Sequence, residues 1–299
     1  MMDFIHPLIE EKDKILFIRG AKDGKYPYSH SLLIGDYLID TGISTRLLRK
    51  VIKLHEINHV ILSHWHEDHI SGNFMLKKAR FSCHHEDKTP IENVREMIPY
   101  YYLSGTSIED DFRNLIKYMG MQNVRIDKTI NDNDIIIIND NLRLKVIHTP
   151  GHTAGHCSFY LEDYKIGFLA DIDLSNFPFY GTIDASIEQF EKSIKKLINI
   201  DFELVISSHK GLIEGKNKIK EELKNYGKII QKREEHILQQ FNENKPLKIE
   251  SLKGKNLIYK KYKYMEYELI AELVMIKKHV KKLTSMGFLE QANGGYILK

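Results

Sequence analysis

Short apolar runs at residues 14–19, 31–34 and 37–39 are separated by the turns Asp23-Gly24 and Gly35-Asp36, a pattern that predicts antiparallel strands. The period changes at 45–54, where Leu47, Leu48, Val51 and Ile52 recur with helical spacing. His59-Val60-Ile61-Leu62 is again strand-like and runs straight into a histidine-rich segment, which places that segment in a loop after a buried strand. Helical spacing returns with Ile108, Phe112, Leu115, Ile116 and Met119, with Ser107 as the expected N-cap and Gly120 as the stop. Residues 134–138 and 142–147 around Asn139-Asp140-Asn141 read as a hairpin, as do 157–161 and 165–169 around Glu162-Asp163-Tyr164. A helix at 185–198 and a strand at 204–207 follow. Strands and helices thus occur twice in similar order, which two sheets packed face to face with helices outside would satisfy.

After about residue 216 the character changes to Lys/Glu-rich helical segments at 219–241 and 267–286. Gly294-Gly295 then joins two short strand-like pieces, 288–291 and 296–298. Helices followed by a hairpin suggest a small winged-helix-like module. The expected division is a larger body at 1–216 and a helical domain at 217–299, since single cores seldom grow past ~250 residues.

Composition narrows the class. Hydrophobic residues at 42% and charged residues at 28% are those of a soluble globular protein rather than a disordered or fibrous one. Residues 1–14 lack the basic-then-apolar order of a secretory signal, and no apolar run approaches the ~20 residues of a membrane span. A cytoplasmic protein is expected. Cys83 and Cys157 are too few for a disulfide framework and read as buried free thiols. The net charge of +3 conceals an uneven distribution: residues 218–299 hold 18 Lys/Arg against 10 Asp/Glu, leaving the remainder about −5. That basic tail is either a footprint for nucleic acid or a solvated lysine surface.

The chemistry concentrates in Ser63-His64-Trp65-His66-Glu67-Asp68-His69, where three imidazoles and two carboxylates fall within six residues. These are the donors preferred by zinc and similar borderline ions. In an extended segment alternate residues project to one side, so His64 and His66 can grip one ion while Asp68 and His69 turn toward a second. Thr149-Pro150-Gly151-His152 places a further imidazole in a turn after a strand. Two more predicted strands end in Asp171 and His209. Three separate strand ends therefore deliver candidate ligands to one rim, with Asp173 as the competitor for Asp171.

HxHxDH, a TPGH turn, an Asp after an apolar strand and a late His together resemble the metallo-β-lactamase superfamily, over roughly residues 14 to 212. The resemblance implies an α/β fold of the αββα sandwich type. It implies two zinc (or iron or manganese) ions, with His64, His66 and His152 on the first, Asp68, His69 and His209 on the second, and Asp171 bridging. Ala170 and Ser207-Ser208 stand where many members have Gly and Pro-Gly. Trp65 and the helical tail look most like the lactamase-β-like endoribonuclease branch, whose members carry a winged-helix-like C-terminal domain. The interval from His69 to His152 is too short for a β-CASP insertion, and nothing after residue 216 suits a flavodoxin domain.

By the same resemblance, two ions ~3.5–4 Å apart would lower the pKa of a bridging water toward ~7 and so supply hydroxide. Asp68 would orient it and relay a proton to the leaving group, making Asp68 the catalytic residue. The expected function is hydrolysis of an ester-like bond. The partner is either single-stranded RNA, which the basic tail favours slightly, or as the alternative a small ester, lactone or thioester, with no membrane involved. A nucleic-acid-binding protein with a vestigial metal site and an iron sulfur dioxygenase are the competing readings. Glu67 is expected to face solvent, His156 to shape the turn, and His84 and His85 to be loop residues. Tyr180 and the other aromatics of 177–181 either line a pocket or fill the core. Lys210 either meets an anionic substrate group or is solvated, and Tyr100, Tyr101 and Tyr102 either form a lid or pack under a helix.

Overall fold

The alternating apolar runs at the N-terminus pair edge to edge because both faces of the resulting sheet can be covered. In the computed structural model, which describes residues 3–9 and 15–299, seven strands run in the order of the sequence. They are β1 (Ile5–Pro7), β2 (Ile15–Ile18), β3 (Ser31–Ile34), β4 (Tyr37–Ile39), β5 (His59–Ile61), β6 (Arg80–His84) and β7 (Lys128–Ile130). Lys14, where the first strand was expected to begin, lies outside the described residues. β1 to β4 are antiparallel, whereas β5, β6 and β7 each run parallel to the strand before them. Parallel neighbours need crossovers, and helix α1 (Thr45–Leu54) supplies the one between β4 and β5.

The second sheet has six strands in the order β13-β12-β11-β10-β9-β8. These are β8 (Ile135–Ile137), β9 (Arg143–His148), β10 (Cys157–Leu161), β11 (Ile166–Ala170), β12 (Leu204–Ser207) and β13 (Gly211–Glu214). β11 and β12 are parallel and connected through α6 (Ile187–Ile198). Between α1 and α6 lie α2 (Glu67–Ile70), α3 (Lys88–Glu92), α4 (Met97–Tyr100) and α5 (Glu109–Tyr118). Ile108 rather than Ser107 occupies the N-cap of α5, and its side chain makes no capping hydrogen bond. The Ser107 hydroxyl instead donates to Glu266 at 3.1 Å.

Three apolar layers define the architecture. Phe17, Leu32 and Ile61 of the first sheet meet Phe159, Phe168 and Ile206 of the second in the central layer. Leu48, Val51, Phe112 and Ile116 cover the outer face of the first sheet, and Phe190 and Ile194 cover that of the second. This is the expected sandwich of helices outside two sheets.

The C-terminal segments form α7 (Lys216–Leu238), α8 (Met265–Ser285) and a hairpin of β14 (Leu289–Ala292) and β15 (Gly295–Leu298). Tyr226, Ile230 and Met275 are buried in the same layer as Phe190 and Leu197 of α6, so the C-terminal helices share a core with the body. Among the described residues no helix is long and apolar enough to cross a membrane.

Candidate metal centre

β5 ends at Ile61, and His64 and His66 follow it, His66 in extended backbone. The chain then turns: the amides of His69 and Ile70 donate to the His66 carbonyl at 3.0 and 3.3 Å, starting the single-turn α2. The expected loop is therefore partly helical, and the turn points Asp68 and His69 inward. Close approach of the Asp40-Thr41-Gly42 segment fixes this turn. A Cβ on Gly42 would lie 1.5 Å from the Asp68 carbonyl oxygen, so no larger residue fits there.

The other three strand ends deliver their residues as expected. His152 follows β9 in a turn where Gly151 has φ +130° and a Cβ would meet the Phe190 amide at 2.2 Å. Asp171 directly follows β11, and His209 follows β12. Ala170 holds φ +49° at an irregularity in the β11–β12 pairing. It thus adopts, at some cost in strain, the left-handed backbone that glycine takes freely.

All seven predicted side chains converge. His64, His66, His152 and Asp171 form one group with ligand atoms within 4.8 Å of one another, and Asp68, His69 and His209 form a second. Nε2 of His152 lies 2.8 Å from Nδ1 of His66 and 3.2 Å from Nε2 of His64. Asp171 stands between the groups: Oδ2 is 3.2 Å from His152 Nε2 and 3.9 Å from His64 Nε2. Its Oδ1 is 3.0 Å from His69 Nε2 and 3.3 Å from His209 Nε2. Asp68 Oδ2 is 3.4 Å from His209 Nε2. Asp173 lies beside the site but outside both groups.

The outer ring nitrogens decide what the inner ones can do. His69 Nδ1 faces Asp40 Oδ2 at 2.7 Å, His152 Nδ1 faces the Phe179 carbonyl at 2.8 Å, and His209 Nδ1 faces the Gly24 carbonyl at 2.6 Å. Each acceptor holds a proton on Nδ1, which leaves Nε2 as the inward-facing atom that a second proton or a metal ion can occupy. His69 Nε2 and Asp171 Oδ1 are buried without a hydrogen-bond partner, although they are 3.0 Å apart. Both point at a common centre rather than at each other. Buried nitrogen and carboxylate lone pairs converging this way fit cations between them.

Electrostatics agree. Burial, then the neighbouring rings of His69 for His64 and of His152 for His66, hold these two pKa values well below the imidazole range. Burial opposes charge on His209 too, but Asp171, Asp68 and Asp173 outweigh it and push the pKa up to about 10. The same contest, with Asp171, Asp68 and Asp40 prevailing over burial, holds His69 well above the usual range.

Several expectations about the surroundings need correction. Glu67 is buried, not solvent-facing: it accepts from the hydroxyls of Tyr26 at 2.9 Å and Tyr101 at 2.6 Å, because α2 folds it back under the cavity. His84 ends β6 and stacks on His148 with ring centroids 4.0 Å apart, whereas His85 is exposed beside Glu86. Tyr180 fills the core, between Arg233 and His279, while Phe177 and Phe179 line the cavity. Lys210 pairs with Glu222 at 2.7 Å. His156 shapes the turn as expected, accepting the Asp171 amide at Nε2.

Sequence reasoning did not single out three carboxylates. Asp40 binds the Ser63 amide and hydroxyl as well as His69. Asp87 accepts from Thr153 Oγ1 and the Gly155 amide, and Asp184 from Trp65 Nε1 and the Ala154 amide, which together hold the turn bearing His152. Asp40 alone carried a signal, an acid directly after the apolar strand β4.

A cavity of about 690 Å³ opens over the site. Besides His66, Asp68, His152, Asp171 and His209, it is lined by residues from Tyr101 to Leu115 and by Tyr259, Tyr264, Tyr267 and Glu268. The C-terminal segment therefore roofs the candidate centre.

Residues 28–209 match the family model of the metallo-beta-lactamase superfamily. A beta-lactamase-like protein 2 homolog of Caenorhabditis elegans is 23% identical across 96% of this chain and 89% of its own length. A hydroxyacylglutathione hydrolase of Rhizobium etli is 33% identical over 39% of this chain, so the chain matches about a third (34%) of that relative. The crystal structure of a metallo-beta-lactamase family protein from Thermus thermophilus superposes with a TM-score of 0.66 at 18% identity, covering 99% of this chain and 97% of that one. With a family match that spans more than half of its length and takes in every one of the seven gathered side chains, the chain belongs to the metallo-beta-lactamase superfamily and is one of its hydrolases.

Proposed function

We propose that the protein hydrolyses a carboxylic ester-like bond, such as a thioester, lactone or ester, at a centre of two metal ions. His64, His66 and His152 would hold the first, Asp68, His69 and His209 the second, and Asp171 both. The observation that carries this reading is the pose of Asp171, with Oδ2 toward His152 and Oδ1 toward His69 and His209. Imidazole and carboxylate donors suit zinc, with iron and manganese as alternatives. Metal ions bound there supply Lewis acidity and make water acidic enough to react near neutral pH.

The chain's own residues do the rest. Asp68 lines the cavity with Oδ2 3.4 Å from His209 Nε2. A carboxylate so placed can take a proton from water as the acyl bond is attacked and return it to the departing sulfur or oxygen. The products are a carboxylic acid and a thiol or alcohol. Partial similarity to hydroxyacylglutathione hydrolases supports this over RNA cleavage. Residues 217–299 are read as a module whose helices-then-hairpin order supports a winged-helix-like description, and whose place here is the roof of the cavity.

The test is metal content and turnover together, in the full chain and its Asp68→Ala variant. Two metals per chain with thioester hydrolysis that falls at least ~100-fold in the variant is the expected result. Fewer than one metal per chain with no turnover overturns the reading, and RNA cleavage with inert esters replaces the substrate class.

A further inference from the structure

Resting on the hydrolase reading above, we infer that the acyl group of the substrate is neutral and apolar, and that the aromatic chamber between α5 and the C-terminal roof is its specificity pocket. Beyond the metal-facing floor, the cavity is walled by Leu103, Phe112 and Leu115 on one side and Phe179, Tyr264 and Tyr267 on the other. Phe112 is buried and packs edge-on against Tyr101, whose ring in turn meets Tyr267 at 5.8 Å. Two acids at this wall are already engaged. Glu67 is closed off by two tyrosine hydroxyls, and Glu268 accepts the amides of Lys263 and Tyr264.

Away from the metal-facing floor, charge disfavours the alternatives. The described residues lining the cavity include two cations, Lys25 and Lys263, against the carboxylates Asp111 and Glu268 in addition to those at its floor. A nucleic-acid backbone or a tripeptide with two carboxylates, extending past the floor, would find little net positive charge on these walls. Four lysines of the basic tail, Lys253, Lys277, Lys278 and Lys281, face a separate groove of about 500 Å³ beside the start of α6 rather than this cavity. An apolar chain entering the chamber loses water on both sides to ring faces, while its carbonyl stays at the floor.

The experiment uses the full zinc-loaded chain and a series of N-acetylcysteamine thioesters from acetyl to octanoyl, alongside the same acyl groups on glutathione. Because each methylene sealed from water is worth about 4-fold, kcat/KM is expected to rise at least ~30-fold from acetyl to octanoyl. Leu115→Asp and the more exposed Tyr264→Ala should each lower the octanoyl-to-acetyl ratio about tenfold or more, as expected for losing two to three sealed methylenes. Calorimetric binding of octanamide to the metal-free full chain gives a readout independent of turnover, and both variants should weaken it. Turnover with a flat chain-length profile, a uniform preference for glutathione thioesters, or variants that leave the ratio unchanged overturns the inference while the hydrolase reading stands. Octanamide binding that the variants weaken, with no thioester turned over, supports the pocket and overturns the thioester form of the hydrolase reading.

Discussion

Arg233 of α7 donates from Nη1 to the carbonyl oxygen of Pro178 at 2.5 Å, one residue before the carbonyl that anchors His152. Its guanidinium also reaches the Tyr180 hydroxyl at 3.0 Å and stacks on the Phe177 ring at 4.7 Å. A buried cation on a C-terminal helix thus sets the loop that orients a ring of the candidate centre. Arg233→Met keeps much of the stem volume but removes the donors. Stability should fall by about 3 kcal/mol, the sum expected for a charged hydrogen bond and a cation–π contact. Zinc affinity should also fall about 10-fold or more, as for the loss of an outer partner of a ligand. Equilibrium competition with a chelator measures the second effect, and unchanged affinity at lowered stability would leave Arg233 a purely structural residue.

Asp40 is a positioning residue of the same kind for His69. It sits at φ +59°, a backbone that asparagine also tolerates, so Asp40→Asn tests the carboxylate without bending the chain. The amide has one acceptor oxygen, and with its NH2 in the place of Oδ2 both the Ser63 hydroxyl and His69 Nδ1 lose their acceptor while the Ser63 amide keeps its own. Affinity for the second metal should drop 10- to 100-fold, with a smaller effect on the first. Metal-to-protein ratios near one in the variant against two in the parent would be the signature. Equal loss of both metals would contradict it.

Legibility in the sequence followed the reach of the interactions involved. α1 and the strand β3 fell at their expected limits because their apolar period is local. β6, β7 and β13 gave no recognised signal: the Arg80–His84 strand mixes polar and apolar residues, and β7 owes its three residues to parallel pairing with β6. The seven clustered side chains were readable because imidazoles and carboxylates ended successive strands. Glu67 was misjudged because charge predicts exposure, whereas Tyr26 and Tyr101 satisfy it from distant positions. The roof formed by Tyr264 and Tyr267 depends on contacts some 150 residues or more along the chain, and no local pattern encodes them.

Metal loading should release protons. Against burial, Asp171 and Asp68 push the pKa of His209 up to about 10 and hold that of His69 above the usual imidazole range, so before loading both rings favour a second proton. A metal binds only the neutral ring, so ions and protons compete and apparent affinity falls as pH drops. Calorimetry of zinc binding at pH 7 in buffers of different ionisation enthalpy should show about two protons leaving on full loading. A value near zero would mean that both rings are already neutral.

His30 should make folding acid-sensitive. Its ring is buried, and Nδ1 accepts the Gly20 amide at 2.9 Å, an arrangement available only to the neutral form. Burial is the largest influence and, with help from His209 and against Asp23, lowers the pKa to about 4. The unfolded chain titrates near ~6.5, so between those values it binds a proton that the native state does not. Stability is therefore full above pH ~6.5 and is lost as pH falls toward 4, by roughly 3 kcal/mol at most for this one group. His64, His66, His84 and His156 are also lowered by burial and steepen the parent's curve, so the comparison must isolate His30. His30→Asn retains an acceptor for Gly20 and cannot titrate. Urea unfolding of both metal-free proteins at pH 4.5, 5.5 and 7 should show the parent losing more stability on acidification than the variant. Parallel curves would place the proton elsewhere. The ring also packs on Gly24, where a Cβ would approach Nε2 to 2.6 Å, and Gly24 supplies the carbonyl that holds His209. Acid that charges His30 therefore acts on the anchor of the second group of side chains as well as on the fold.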